Sequence, residues 1–193
     1  MSPVKHALEF LVSTLFDLYT FVLILRFILQ YLGINYYNPF TQFIIKATSP
    51  VITPVRRWVP GYKGIDFATL LVIFLFTLTK VTLSWFIARP VAPFFPGLLI
   101  LALGEMIRLT INIYFFAVII QIISSWVAPM SHSPILEILN RLTGPLMRPF
   151  KRWIPPMGGF DITPIPVIIS LKLAEILFAS TVIGFGLQIA SIR

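Results

Sequence analysis

Five polar side chains stand inside long apolar stretches of this sequence, where ionisable groups are costly and usually functional. They are Asp17, Lys80, Asn112, Lys172 and Glu175. Carboxylates and ammonium groups at membrane depth can pair to hold helices in register, or they can form a path for protons or ions. A third interpretation is that some of them reach the headgroups along the protein surface. These residues define a candidate intramembrane polar cluster with a structural or a transport role.

Equal spacing along the chain predicts that four of these side chains lie at one depth. Asp17 precedes Tyr31 by 14 residues, and Lys80 follows Asp66 by 14 residues. The remaining two that share this spacing are Asn112 and Glu175. At a helical rise of about 1.5 Å per residue, all four lie about 21 Å from the same end of their helices. We therefore expect an inward-facing cluster, which Lys172 joins because it lies one turn from Glu175 on the same helix face.

Three further charged residues lie in the apolar stretches but outside this layer. Arg26 lies about 8 Å from the end of its stretch, so it is expected to reach the headgroups or to pair with a loop carbonyl. Glu105 and Arg108 are three residues apart, close to the opposite face of the membrane. We interpret them as a structural ion pair within one helix.

Two short basic motifs, each ending in a tryptophan, form a second candidate site. They consist of Arg56, Arg57 and Trp58, and of Lys151, Arg152 and Trp153. Cations bind lipid phosphates, and an indole ring prefers the headgroup zone. The motifs are therefore predicted to contact anionic headgroups, with a docking surface for partner proteins as the alternative. The net charge of +8 is concentrated beside apolar stretches, so no direct nucleic-acid partner is expected.

The sequence gives little support for enzymatic chemistry. It contains no cysteine, and its two histidines, His6 and His132, lie in unrelated segments. No phosphate-binding loop and no metal-ligand spacing occurs, and no nucleophile stands beside a plausible base. We expect no catalytic residue, no metal and no cofactor.

Four membrane-spanning helices must position these candidates. A chain of 193 residues with 58% hydrophobic and 11% charged residues cannot hide its apolar surface from water. The apolar stretches 8–32, 67–88, 98–127 and 162–189 can each cross a hydrocarbon layer of about 30 Å. We interpret the first as a retained span and not as a cleaved signal peptide.

The distribution of basic residues predicts the orientation of the spans. Lysines and arginines are concentrated in the two long loops, 33–65 and 128–160, whereas the middle connection and the two tails carry few. The positive-inside rule therefore places both loops in the cytoplasm and both termini outside it.

The sequence repeats itself after 95 residues without a gap. The matching loop positions of the first copy are Pro39, Thr48, Pro50, Pro54, Arg57, Trp58, Pro60, Gly64 and Asp66. Two units, 1–96 and 97–193, follow from this match, and each contains two spans. Because each unit crosses the membrane twice, the two helical hairpins are predicted to insert in the same direction, as parallel repeats.

Each loop is predicted to hold a short amphipathic helix. An Asn-Pro pair and a Ser-Pro pair, typical of helix N-termini, precede the segments 40–47 and 135–142. Both segments have an apolar stripe, so they should lie in the membrane interface or re-enter it shallowly. Pro50 and Pro145 are expected to stop them.

The loop motif resembles that of the YggT (YlmG) family of integral membrane proteins. The first copy reads Asn-Pro-Phe…Ser-Pro-Val-Ile-Thr-Pro-Val-Arg-Arg-Trp-Val-Pro…Gly-Ile-Asp, and the second reads Gly-Pro-Leu-Met-Arg-Pro-Phe-Lys-Arg-Trp-Ile-Pro-Pro-Met-Gly-Gly-Phe-Asp. The resemblance covers essentially the whole chain, and two copies per chain resemble the form of proteobacterial inner membranes. Gln121 stands where the first copy has Arg26, so Arg26 is not expected to serve a role that both halves require.

Two classes of function remain open. The first is a non-enzymatic membrane organiser or assembly factor, whose basic loops contact anionic lipid and membrane-protein partners or a second copy in a homo-oligomer. The second is a transporter of potassium or protons, or a transporter subunit, that uses the polar cluster. The resemblance implies osmotic stress, ion homeostasis or division as the cellular setting; plastid relatives are linked to haem assembly, and no catalytic residue is assigned in the family.

Overall fold

The chain is helical throughout the part that its computed structural model describes, namely residues 3–34, 36–89, 91–127, 133–153 and 161–192. The helices are α1 (Pro3–Tyr31), α2 (Pro39–Arg56), α3 (Phe67–Ala88), α4 (Phe95–Val127), α5 (Pro134–Trp153), α6 (Pro164–Ala174) and α7 (Thr181–Ala190). A π-helical segment, Glu175–Ser180, joins α6 to α7. The predicted all-α fold class is therefore confirmed.

Four helical units are long and apolar enough to cross a membrane, as predicted. They are Pro3–Tyr31, Phe67–Ala88, Phe95–Ser125 and Pro164–Ala190. The start of α3 shows how the sequence sets such a boundary. Oδ1 of Asp66 accepts a hydrogen bond from the backbone N of Thr69 at 3.2 Å, and this N-cap satisfies a donor that the first helical turn leaves free.

The spans pack side by side, with α1 on α3, α3 on α4, and α4 on α7. The largest buried cluster lies where α1 meets α3, and it includes Leu23, Ile28, Val72 and Ile73. Within the described residues α1 makes no close backbone approach to α6 or α7. Over this described part, the first and last spans therefore do not pack directly against each other.

Glycines bring α4 and α7 into unusually close contact. A Cβ added to Gly97 would lie 2.1 Å from the backbone N of Ala190. A Cβ on Gly104 would lie 2.7 Å from Ile183, and one on Gly186 would lie 2.7 Å from the backbone N of Leu101. Small residues allow helices to approach closely in lipid, where packing replaces the hydrophobic effect as the force that associates them.

The fourth span is interrupted by the π-helical segment, which the sequence analysis did not predict. A π-helix widens the turn and leaves a backbone carbonyl without its usual partner. Oγ of Ser180 donates to the carbonyl oxygen of Glu175 at 3.3 Å. The segment also rotates α7 relative to α6, so residues before and after it do not follow one helical periodicity.

The predicted stops at Pro50 and Pro145 are wrong, because α2 and α5 continue through them to Arg56 and Trp153. Each proline removes a backbone donor. The α2 helix continues because its inner face is firmly packed: Ile44 and Ile52 are buried in the core, and this packing outweighs the lost hydrogen bonds.

The two loop helices lie at the same end of the bundle, here called the loop end. Nδ2 of Asn38, which precedes α2, donates to the carbonyl oxygen of Pro134 in α5 at 2.9 Å. The other end, here called the far end, brings the α3–α4 connection to the C-terminus of α7. There the backbone N of Phe94 donates to the carbonyl oxygen of Ala190 at 3.0 Å.

Candidate functional site

A charged network joins three of the four spans. Lys80 on α3 is buried, and its Nζ donates to Oδ1 of Asp17 on α1 at 2.6 Å. The same ammonium donates to Oε2 of Glu105 on α4 at 2.8 Å. Because a charge inside a membrane requires a partner, one lysine fixes the relative depth of α1, α3 and α4.

Arg108 completes this network. Its Nη2 donates to Oε2 of Glu105 at 2.6 Å, so that carboxylate receives a lysine and an arginine together. The two acidic and two basic groups have formal charges that cancel. The i,i+3 pair of Glu105 and Arg108 is present as expected, but the structure makes it part of the network and not a separate pair. Sequence reasoning missed this because Glu105 does not share the 14-residue spacing of Asp17 and Lys80.

A cavity of about 420 Å³ opens between the spans above this network, towards the far end. Glu9, Ser13 and Asp17 line it from one stripe of α1, and Arg89 lies at the end of α3. The guanidinium of Arg89 stacks 4.2 Å from the ring of Trp85. Its charged and polar lining is of the kind that binds water, and the cavity extends from Arg89 at the far end to Lys80.

The remaining members of the expected polar cluster are not in the network. Lys172 donates to Oε2 of Glu175 at 2.7 Å, with 46% of the lysine side chain exposed. The lysine Nζ also lies 4.4 Å from the ring centre of Phe115 on α4. Asn112 is half-buried and makes no side-chain hydrogen bond within the described residues.

The separation has a simple geometric cause. The sequence spacing gave Glu175 the same depth as Lys80, but depth does not determine the direction in which a side chain points. The α6 helix packs against α4 and α5, away from α1 and α3. Lys172 and Glu175 therefore satisfy each other on the α4 side of the bundle.

The basic motif of the first loop contains an ion pair. Nη2 of Arg56 donates to Oδ2 of Asp66, whose side chain is buried. Thr69 adds hydrogen bonds through both its hydroxyl and its backbone N. Burial alone would raise the pKa of Asp66, but the hydrogen bonds from Thr69 and Arg56 outweigh burial and hold this pKa below its ordinary value.

The second loop repeats this arrangement in a more exposed form. Nζ of Lys151 lies 3.1 Å from Oδ2 of Asp161, and the side chains are 54% and 40% exposed. Burial would raise the pKa of Asp161, but hydrogen bonds from Thr163 and Lys151 lower it below the ordinary value. The positions of Lys151 and Asp161 are each 95 residues after those of Arg56 and Asp66.

The other basic residues of the two motifs face outward. Arg57 and Arg152 are exposed, and Trp58 is 87% exposed. The side chain of Trp153 lies outside the described part of the structure. An exposed indole beside two arginines has the composition that the membrane interface favours.

Each loop helix is tethered to the span that precedes it. Nη1 of the buried Arg26 donates to Oγ1 of Thr48 at 2.7 Å. In the second half, Oγ1 of Thr143 donates to Oε1 of Gln121 at 2.5 Å. Arg26 was not expected to serve a role that both halves require. This expectation is wrong for the attachment of the loop helix to the preceding span, because the neutral amide of Gln121 makes the corresponding contact in the second half.

The four apolar spans and the charged network inside them define the chain as a multi-pass membrane protein. The family model described as CCB3/YggT matches residues 6–87 and 100–182. The chain belongs to the CCB3/YggT family, as its loop motifs indicated.

Similar proteins extend from bacteria to red algae. The chain is 38% identical to an uncharacterized protein of Pseudomonas aeruginosa, over 92% of this chain and 90% of that protein. It is 36% identical to the uncharacterized protein YggT of Escherichia coli strain K12, over 91% and 93% of the two chains. The uncharacterized protein ycf19 of Porphyra purpurea is 32% identical over 43% of this chain and 87% of its own length. No solved structure matches the chain significantly.

Proposed function

We propose that this chain is a non-enzymatic organiser or assembly factor of the bacterial inner membrane, which uses its two basic loops on anionic headgroups and on membrane-protein partners. One observation carries this proposal: α2 and α5 lie at the same end of the bundle, where their N-termini meet through the hydrogen bond from Asn38 to Pro134. Arg57, Trp58 and Arg152 are exposed there. Two copies of a motif suited to headgroups are thus exposed at one end of the bundle.

The orientation is part of the proposal. The excess of lysine and arginine in the two loops favours a cytoplasmic loop end, with both termini in the periplasm. A cytoplasmic position brings the loops to anionic lipids of that leaflet. A reporter that is active only in the periplasm should give a signal when it is fused after residue 192. A reporter that is active only in the cytoplasm should give a signal when it is inserted at residue 61.

The two-unit organisation, 1–96 and 97–193, also belongs to the proposal. The equivalent ion pairs of Arg56 with Asp66 and of Lys151 with Asp161 support it. The cellular setting that the family resemblance favours is osmotic stress or ion homeostasis, with division as an alternative. In this setting the loops hold partner membrane proteins, or a second copy of the chain, at the cytoplasmic face.

Charge reversal tests the organiser role. The double variant Arg57→Glu and Arg152→Glu changes exposed cations and leaves the ion pairs of the loops intact. We expect it to insert normally but to lose the partners recovered from native membranes and to fail in a deletion strain under osmotic upshift. Lys5→Glu, at the far end, is the matched control and should behave as wild type. An unimpaired double variant would refute the proposal.

Ion or proton transport is a second candidate function, favoured by the cavity with a charged lining that reaches Lys80 from the far end. Protein reconstituted into liposomes should then give a potassium or proton flux that Lys80→Leu removes. Lys172→Leu is the matched control, because Lys172 pairs outside the network. A wild-type flux no greater than that of empty liposomes would exclude this candidate.

A further inference from the structure

A pocket of about 230 Å³ lies at the loop end, between the last turns of α1 and the first half of α2. Its apolar wall comes from core residues of both helices. Its polar lining consists of Arg26, Gln30, Tyr36, Thr41 and Arg56. The polar groups thus include two guanidinium groups, and the lining contains no acidic side chain.

Arg26 carries a buried positive charge without a carboxylate partner. Only 7% of the residue is exposed. Its Nη1 donates to the carbonyl oxygen of Ile45, to Oγ1 of Thr48 and to Oγ of Ser49. All three acceptors are neutral, and within the described residues no carboxylate lies within ion-pair distance of Arg26. A buried cation in this state is costly unless an anion compensates it.

The nearby carboxylate cannot fill this role, because it is already used. Asp66 accepts hydrogen bonds from Arg56 and from Thr69. The two arginines and this aspartate together have a formal charge of +1. The pocket therefore has an excess positive charge beside an open volume.

Thr41 is a second polar group of the pocket lining, and its hydrogen-bonding capacity is unused. It lines the pocket, is 3% exposed, and its Oγ1 has no hydrogen-bond partner. A buried hydroxyl without a partner loses the hydrogen bonds that water would provide. An acceptor atom in the pocket would receive this hydroxyl proton.

We propose that this pocket binds the phosphate group of an anionic phospholipid. Guanidinium groups and a hydroxyl are the donors that phosphate oxygens accept from. The location also fits, since Arg26 lies five residues before the end of α1, about 8 Å along the helix, which brings the pocket close to the headgroups. The volume accommodates a phosphate and part of its glycerol. Free inorganic phosphate shares this chemistry, and the experiment below separates the two sources.

Two key residues of this pocket are not repeated in the second half of the chain. Gln121 stands 95 residues after Arg26 and is neutral, and Leu136 stands 95 residues after Thr41. One site per chain is therefore expected. The site does not depend on the organiser role proposed above, because it rests on buried groups and not on the exposed cations Arg57 and Arg152.

Native mass spectrometry of purified full-length protein tests the proposal. The lipid probe is phosphatidylglycerol, and zwitterionic phosphatidylcholine is the comparison. In a separate measurement, the melting temperature of the protein is compared with and without inorganic phosphate. The wild type should retain one phosphatidylglycerol per chain. Arg26→Gln should reduce this retention about tenfold or more, since it removes a charged hydrogen bond. It should still fold, because Gln121 shows that glutamine can serve as the tether. Lys5→Gln, which removes an exposed cation at the far end, should bind like the wild type.

Each outcome decides the matter. Equal retention of phosphatidylglycerol by a folded Arg26→Gln variant overturns the site, and an equal loss in Lys5→Gln shows binding by general charge only. A third result is that inorganic phosphate stabilises the wild type but not Arg26→Gln, while the wild type shows no selective retention of phosphatidylglycerol. This result would show that the pocket binds free phosphate and would overturn the proposal of a lipid ligand. Should Arg26→Gln not fold, Thr41→Val decides: a several-fold loss of retention supports the site, and no loss refutes it.

Discussion

Replacing Gly97 by alanine should separate two helices that the structure holds in backbone contact. The new Cβ would lie 2.1 Å from the backbone N of Ala190, 2.4 Å from its Cα and 2.6 Å from its Cβ. Ordinary contacts begin near 3.4 Å, so α4 and α7 must move apart by about 1.3 Å. The atoms in contact are mainly backbone, which cannot rotate away. Overpacking of this kind costs about 1–3 kcal/mol.

The partner helix α7 provides a control for this substitution. A Cβ on Gly184 would have no atom within 4 Å. Gly184→Ala therefore gains the helical preference of alanine, worth up to about 1 kcal/mol, without a clash. The difference between the two variants isolates the steric cost. We expect Gly97→Ala to be the less stable by about 1–3 kcal/mol.

Unfolding in mixed micelles titrated with a denaturing detergent, followed by circular dichroism, measures this difference. Gly186→Ala, whose Cβ would lie 2.7 Å from the backbone N of Leu101, should fall on the destabilised side with Gly97→Ala. Equal stability of Gly97→Ala and Gly184→Ala would refute the close packing of α4 with α7.

Three further predictions concern charged and polar contacts. Lys80→Met leaves two carboxylates without their ammonium and should lower the free energy of unfolding by about 3–5 kcal/mol. Arg141→Met should cost about 0–1 kcal/mol, because its ion pair with Glu137 lies exposed on the loop helix α5; detergent unfolding compares the two variants. The pKa of Asp66 is lower in the folded state than its ordinary value of 3.8, so ionised Asp66 stabilises the fold at pH values above 3.8. This contribution disappears as the pH falls through the folded-state pKa. Below about pH 4 the melting temperature of the wild type should therefore fall more than that of Asp66→Asn. Asn38→Ala removes a helix cap and the link between the loops, costs about 1–2 kcal/mol, and should speed amide exchange in the first turn of α2; unchanged exchange would contradict this.

Apolar length was sufficient to predict the four spans, because the cost of unpaired backbone groups in lipid permits only helices there. The start of α3 was equally accessible, since an aspartate before an apolar run is a typical N-cap. The length of α2 could not be predicted from the sequence in this way. Proline rules apply to isolated helices, whereas α2 is held by Arg26 and by the burial of Ile44 and Ile52.

The candidate site was only partly predictable for a related reason. Spacing along a helix gives depth, and depth correctly suggested that Asp17 and Lys80 lie near each other. The direction of a side chain depends on which helices pack together, and that information is absent from a count of residues. Lys172 and Glu175 were therefore assigned to a cluster that their helix does not reach. Glu105 was left out although it receives two of the three ion pairs of the network.

The pairing of charges in the network has a consequence for how the chain enters the bilayer during synthesis. Asp17 and Lys80 belong to the first helical hairpin, and Glu105 and Arg108 lie one turn apart on the next helix to emerge from the ribosome. Each acidic residue of the network thus reaches the translocon in the same segment as a basic partner. The four network charges can therefore enter the hydrocarbon as two neutral pairs, and the contact between Lys80 and Glu105 forms when these pairs meet.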